Sequence, residues 1–305
     1  MKSSERVEWP GGFGNWNRWS EPGGTINLIT PEVVLRAVST VRTGTAYSCA
    51  RVLTPEVYPP DLAELHGFQE PGFEHRMLSA HGDERFASAD RISMTLHSLQ
   101  NTHLDGLSHV GHLGKGFNGI PVGEMVDMEH ASMKLAITDT PVIVTRGFLV
   151  DIPRLRGVEF MTPGDWVRPE ELEGVASDIA PGDALLVRTG RWHAPVVGPN
   201  TPGSSGNIVG DWAALHVDCL DWVAEHDLAI VGTDSTGDTF PTPTPDISVH
   251  IVSLVYLGLP LMHSLDLEAV ADACAEQNRS DFLVCVAPLK IPGGTGSPVA
   301  PIVVL

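Results

Sequence analysis

The sequence predicts a mixed α/β fold in a single domain spanning 1–305, and three observations carry that expectation. Short apolar runs recur at 141–150, 184–189, 228–232 and 282–287, each bounded by Pro, Gly or Asp, as buried strands are. Between them lie stretches with apolar residues at helical spacing, at 212–226, 247–257 and 266–278. Strands and helices interleave without an internal repeat, and no linker divides the chain.

Composition narrows the function classes. The chain has 305 residues, of which 42% are hydrophobic, enough to bury a large core. It carries 38 acidic against 19 basic residues, a formal charge of −19. Binding to nucleic acid or an anionic membrane needs clustered Lys and Arg, so neither partner is expected. No apolar run approaches the roughly 20 residues of a membrane span, and the start lacks the apolar core of a signal peptide. Cys49, Cys219, Cys274 and Cys285 are scattered and form no C-x-x-C pair. They read as small buried groups in a reducing cytoplasm.

Taken in order, residues 1–24 form a Trp/Gly-rich segment whose tryptophans, Trp16 and Trp19 among them, plug a core more readily than they lid a pocket. Thr30-Pro-Glu opens a helix, with Thr as N-cap and Pro at the first helical position, expected to run to about Val41. Residues 46–53 read as a strand. The segment 54–90 mixes Pro, Gly, His and acids without a clean period and reads as a long loop insertion. Alternation resumes at 91–105, and a glycine-rich turn follows at 111–123. Arg168-Pro-Glu-Glu resembles a helix start. The stretches 195–210 and 238–245 are loops rich in Pro, while 261–265 and 302–305 are short strands.

One stretch is denser in potential ligands than any other: His103, Asp105, His109 and His112 fall within ten positions. On an extended strand His103 and Asp105 share a face, joined by His97 if the strand begins early. Imidazole beside carboxylate is a normal ligand set for a divalent metal, and a further free histidine suits proton transfer. His66, His75, His81, His130, His193, His216 and His226 belong to no motif and read as ordinary residues. Asp234, in Gly-Thr-Asp-Ser, reads as a cap or as the partner that orients a histidine.

The stretch Leu99-Gln-Asn-Thr-His-Leu-Asp-Gly-Leu-Ser-His109 resembles the H-x-G-T-H-x-D-x-P-x-H signature of the cyclase family of metal-dependent hydrolases. That family includes bacterial kynurenine formamidase and isatin hydrolase. Gly24-Thr-Ile-Asn-Leu-Ile-Thr-Pro-Glu32, Pro181-Gly-Asp-Ala-Leu-Leu-Val-Arg-Thr-Gly190 and Thr295-Gly-Ser-Pro-Val-Ala-Pro-Ile302 are similar to three further family segments, in family order. The resemblance implies a swivelling β/β/α fold, a zinc or manganese site, and hydrolysis of a small amide, formamide, cyclic imide or lactone. It also implies a homo-oligomer, dimer or tetramer, acting on a small molecule.

Carried over residue by residue, His103 and Asp105 match metal ligands and His109 matches the proton carrier. Further along the chain His250 matches a family histidine, and His263 stands where the family has glutamate. Leu99 replaces the first motif histidine and cannot ligate, so the expectation is one metal on Asp105, His103, His263 and His250. His97 could stand in for the missing histidine only if the strand bulges. His112 reads as a bystander. Two other readings stand beside the hydrolase: a non-hydrolytic cyclase or dehydratase on the same scaffold, and a binding protein that has lost catalysis, which Leu99 motivates.

Overall fold

A computed structural model describes residues 8–9, 12–53, 73–82, 85–129, 131–132, 134–174, 178–195, 212–239 and 247–305. Among these, a nine-stranded mixed sheet forms the centre. Its strands are β1 (Ala46–Ser48), β4 (His103–Asp105), β5 (Ile143–Asp151), β6 (Ala184–Arg188), β7 (Ile230–Thr233), β8 (Leu261–His263), β9 (Asp281–Val286), β10 (Gly296–Pro298) and β11 (Ile302–Val304). A separate antiparallel ribbon pairs β2 (Phe73–His81) with β3 (Ala87–Met94). The sheet order is β10-β4-β8-β7-β6-β5-β9-β11-β1. Strands β5 to β8 run parallel. Antiparallel strands flank them on both sides.

The apolar runs are continuous because both faces of the parallel centre are buried. In β6, Leu185 and Val187 join one core with Val150, Val231 and Leu261, while Ala184 and Leu186 join the other with Leu149, Ile230 and Met262. Helix α2 (Cys219–Glu225) covers the first face through Leu220, Trp222 and Val223. Helix α3 (Glu268–Glu276) covers the second through Val270, Ala273 and Cys274. The mixed α/β expectation is therefore met by the observed architecture.

Several boundaries differ, each for a local reason. Helix α1 (Pro31–Val38) starts as expected, with the Thr30 hydroxyl accepting from Val33 N. It stops at Val38 because the Ser39 and Thr40 hydroxyls donate to the carbonyls of Arg36 and Ala37, closing the turn. The strand expected at 46–53 is confined to β1. Of the insertion 54–90, residues 54–72 lie outside the described residues. Residues 83–84 also lie outside them, and most of the described remainder belongs to the ribbon β2–β3, which shows no hydrophobic period because solvent reaches both its faces. The helical spacing over 212–226 yields a helix only from Cys219; Ala214–Leu215 instead pairs with Trp166–Val167. The expected helix at 247–257 includes a π-helical turn, Ile251–Leu257. The loops at 195–210 and 238–245 fall mostly outside the described residues.

Trp16 and Trp19 pack against the first core. Trp16 Nε1 donates to Val255 O at 2.6 Å and its ring stacks on Tyr256, so the plug is what is seen. The four cysteines are free thiols, three of them buried. Among the described residues no helix is long and apolar enough to cross a membrane.

Candidate metal centre

Strand register assembles the site. In the antiparallel pair β4–β8, His103 lies opposite His263 and Asp105 opposite Leu261, with β10 on the other side of β4. Alternation sends His103, Asp105 and His263 to one face, while Leu104 and Met262 go into the core beneath. Two residues from outside the sheet complete the ring. His97 arrives from the segment between β3 and β4, and His250 from the residue preceding the π-helical turn. The site thus draws on segments more than a hundred residues apart.

Asp105 is fully buried at the centre of the ring. Its Oδ1 meets His97 Nδ1 at 2.7 Å and His103 Nε2 at 3.5 Å. Its Oδ2 meets His263 Nε2 at 2.9 Å and His250 Nε2 at 3.4 Å. The outer nitrogens then set the tautomers. His103 Nδ1 donates to Asn101 O at 2.7 Å, and His250 Nδ1 donates to Asp238 Oδ2 at 2.5 Å. An imidazole that gives its outer N–H to a carbonyl or carboxylate presents its inner nitrogen as a ligand, the usual arrangement around metals. His263 differs: its Nδ1 is buried without a hydrogen-bond partner among the described residues, packed against Gly237 at φ +84°. Its tautomer is therefore set by whatever Nε2 faces.

His97 has both nitrogens engaged, Nδ1 by Asp105 and Nε2 by Thr295 Oγ1 at 2.9 Å. The His109 ring lies flat on it, centroids 3.6 Å apart. These groups line a cavity of about 170 Å³ together with Leu99 and Asp238.

The charges follow from this packing. Burial works against the Asp105 charge, yet the facing imidazoles of His109, His263 and His250 hold its carboxyl well below the usual carboxylate range. Burial pushes His103 and His109 down to about 3, against the pull of Asp105. Burial also lowers His263. His250 goes the other way: in spite of burial, Asp238 and Asp105 on either side raise it to about 10. The cavity thus holds two carboxylates, one protonated imidazole and several neutral ones. Asp105 with His250 and His263, and Asp105 with His97 and His109, each form a compact set able to take a divalent cation.

The structure brings His103, Asp105, His109, His250 and His263 together, and adds His97 through bends at 96–97 and 99–101, not through a strand bulge. His112 stands apart, its Nδ1 against Tyr256 Oη. Asp234 caps the turn after β6, accepting from the amides of Thr189, Gly190 and Arg191. His75, His193 and His216 pair with surface acids, and His226 with a backbone carbonyl. His66 and His130 lie outside the described residues. Sequence reasoning missed Asp238 and Thr295. Asp238 has no spacing signal, and Thr295 opens a family-like segment without any hint of its partner, because each meets its histidine only in three dimensions.

The model of a family described as "Putative cyclase" matches residues 47–237. The chain belongs to the cyclase family. Among solved structures, a novel cyclase is 28% identical, covers 96% of this chain and 97% of its own, and superposes with a TM-score of 0.81. Isatin hydrolase A from Labrenzia aggregata, 18% identical over 88% of this chain and 94% of its own, shares the cyclase fold at a TM-score of 0.58. A protein described as a potential metal-dependent hydrolase with cyclase activity does so at 0.51, with 15% identity over 85% of this chain and 98% of its own. No curated protein matches the sequence.

Proposed function

We propose that this cyclase is a metal-dependent hydrolase acting on a small amide, formamide, cyclic imide or lactone. One observation carries the reading: a buried carboxylate and the Nε2 atoms of three histidines converge in one cavity, two of them with their outer nitrogens fixed by Asn101 O and Asp238. Asp105, His103, His250 and His263 would hold a single zinc or manganese ion. A divalent ion in such a site lowers the pKa of water toward ~7 and polarises a carbonyl.

The chain's own groups have separable tasks. Asp105 supplies the charge and, through Oδ2, faces His250 and His263. His97 holds the other carboxylate oxygen and is itself braced by Thr295. Asp238 fixes the orientation of His250. His109 is a neutral imidazole at the cavity wall, placed to take the proton released as water adds to the carbonyl and to return it to the leaving nitrogen or oxygen. Leu99 gives the cavity an apolar wall.

The test is metal analysis of the purified protein followed by product analysis over a panel of formamides, cyclic imides and lactones. Bound zinc or manganese with ring-opened or deformylated products is the expected result. A protein that holds no metal and gains nothing from added metal is no enzyme of this kind. A metal-loaded protein that converts a substrate without adding water is the non-hydrolytic cyclase.

A further inference from the structure

A second cavity, about 270 Å³, lies behind the segment that walls the metal site. Leu99 lines the metal cavity and Gln100 lines this one, so the two share residues 99–100 as a partition. Its chemistry is the reverse of its neighbour's. The guanidinium of Arg191 lies 4.7 Å from the Trp192 ring centre and 4.2 Å from that of Trp212. Arg51 stacks on Trp192 at 4.0 Å. In a chain with twice as many acids as bases, this cavity has two guanidinium groups and no carboxylate among the described residues of its wall.

The two arginines have different duties. Arg191 is buried, and it donates to Leu99 O at 2.5 Å and meets Ser264 Oγ at 3.3 Å, so it ties the partition to the residue after His263. Arg51 is partly exposed, with Asp266 at a loose 3.4 Å. Its backbone amide is fixed by Thr102 Oγ1 at 2.9 Å, two positions along from Gln100. A guanidinium stacked on an indole is pre-oriented and weakly hydrated, which suits fork-like pairing with a carboxylate, and the indoles offer a flat apolar face beside it. The volume sits near the lower end for small-molecule sites.

The geometry points to this cavity as a binding site for a flat, aromatic carboxylate. The carboxylate pairs with Arg51 and the ring lies along Trp212 and Trp192. Assigning that ligand as the remote end of the substrate of the metal site rests on the hydrolase reading; the binding site itself does not.

Calorimetry with benzoate tests it, using the protein as purified and again after chelation, with benzamide as the uncharged control. Benzoate binds in both states, benzamide at least about tenfold more weakly. Arg51→Gln weakens benzoate about tenfold or more and leaves metal content unchanged. Trp212→Leu, which keeps both arginines, also weakens it. Benzoate binding that disappears on chelation places the ligand on the metal and overturns the proposal, as does equal binding of benzamide or an Arg51→Gln variant that binds as before. The substrate assignment has its own readout: Arg51→Gln raises KM for substrates bearing a carboxylate and leaves KM for uncharged ones unchanged. Should no substrate turn over, the hydrolase reading fails while the calorimetry still decides the cavity.

Discussion

Two cavities share one wall at residues 99–100, and their charge is built in opposite ways. The metal site concentrates carboxylate and imidazole around Asp105, with a proton on His250 standing where a cation belongs. The Arg/Trp cavity concentrates cations and aromatic faces. One is shaped to gather a positive ion, the other an anion. Their closeness teaches that local electrostatics are set by which side chains a fold converges; the chain's net charge of −19 predicts nothing about the second cavity.

The comparison breaks most readily at Asp105. Asp105→Asn removes the charge that gathers the ion, so metal affinity falls by more than about a hundredfold and turnover is lost. Benzoate binding in the other cavity survives. Metal analysis and calorimetry on one preparation read both, and a joint loss would show the two cavities to be one unit. His109→Ala sharpens the division within the metal site. Turnover falls by about 10²–10⁴-fold while metal content stays intact. Loss of metal in that variant would make His109 a ligand and shift the site toward the His97–Asp105–His109 set.

A subtler cut is Asp238→Asn, which leaves every proposed ligand in place but frees the His250 ring. Metal affinity drops by about 10–100-fold, read by competition with a chromophoric chelator. Unchanged affinity would mean that His250 does not ligate. The mildest perturbation is a change of pH, which alters no residue. In the metal-free site His250 is raised to about 10, so below that pH it carries a proton that an ion must displace. Apparent affinity therefore rises with pH, by up to about tenfold per unit between pH 6.5 and 9, and binding releases a proton. His103 and His109, pushed down to about 3, are already neutral in that range and contribute nothing to the slope. Calorimetry in buffers of different ionisation heats counts the protons, and a count of zero contradicts the assignment of His250.

Much of the molecule was legible in the chain. The apolar runs marked β5, β6, β7 and β9, because burial of both faces leaves a continuous signal. Thr30 and Pro31 marked the start of α1, because caps are local chemistry. The histidine-rich stretch marked β4 and two of the four proposed ligands, His103 and Asp105. The ribbon β2–β3 escaped notice because it faces solvent on both sides, and the truncated helix at α2 because helical spacing arose by coincidence upstream of a turn. Trp16 and Trp19 plug the first core, as their setting in the sequence indicates, while the aromatic cavity is made by Trp192 and Trp212.

What the sequence determined by itself was everything with a period or a short range: the α/β class, the strand cores, the cap, and the pairing of His103 with Asp105 on one strand face. Only the tertiary structure decided which distant groups close the site. His97 is brought in by the bends between β3 and β4, His263 is set opposite His103 by sheet register, and Asp238 and Thr295 reach the outer nitrogens of His250 and His97. The same holds for Arg51 and Arg191, 140 residues apart in number and neighbours over one indole. Long-range convergence leaves no local pattern, because any residue can meet any other once the sheet order is fixed.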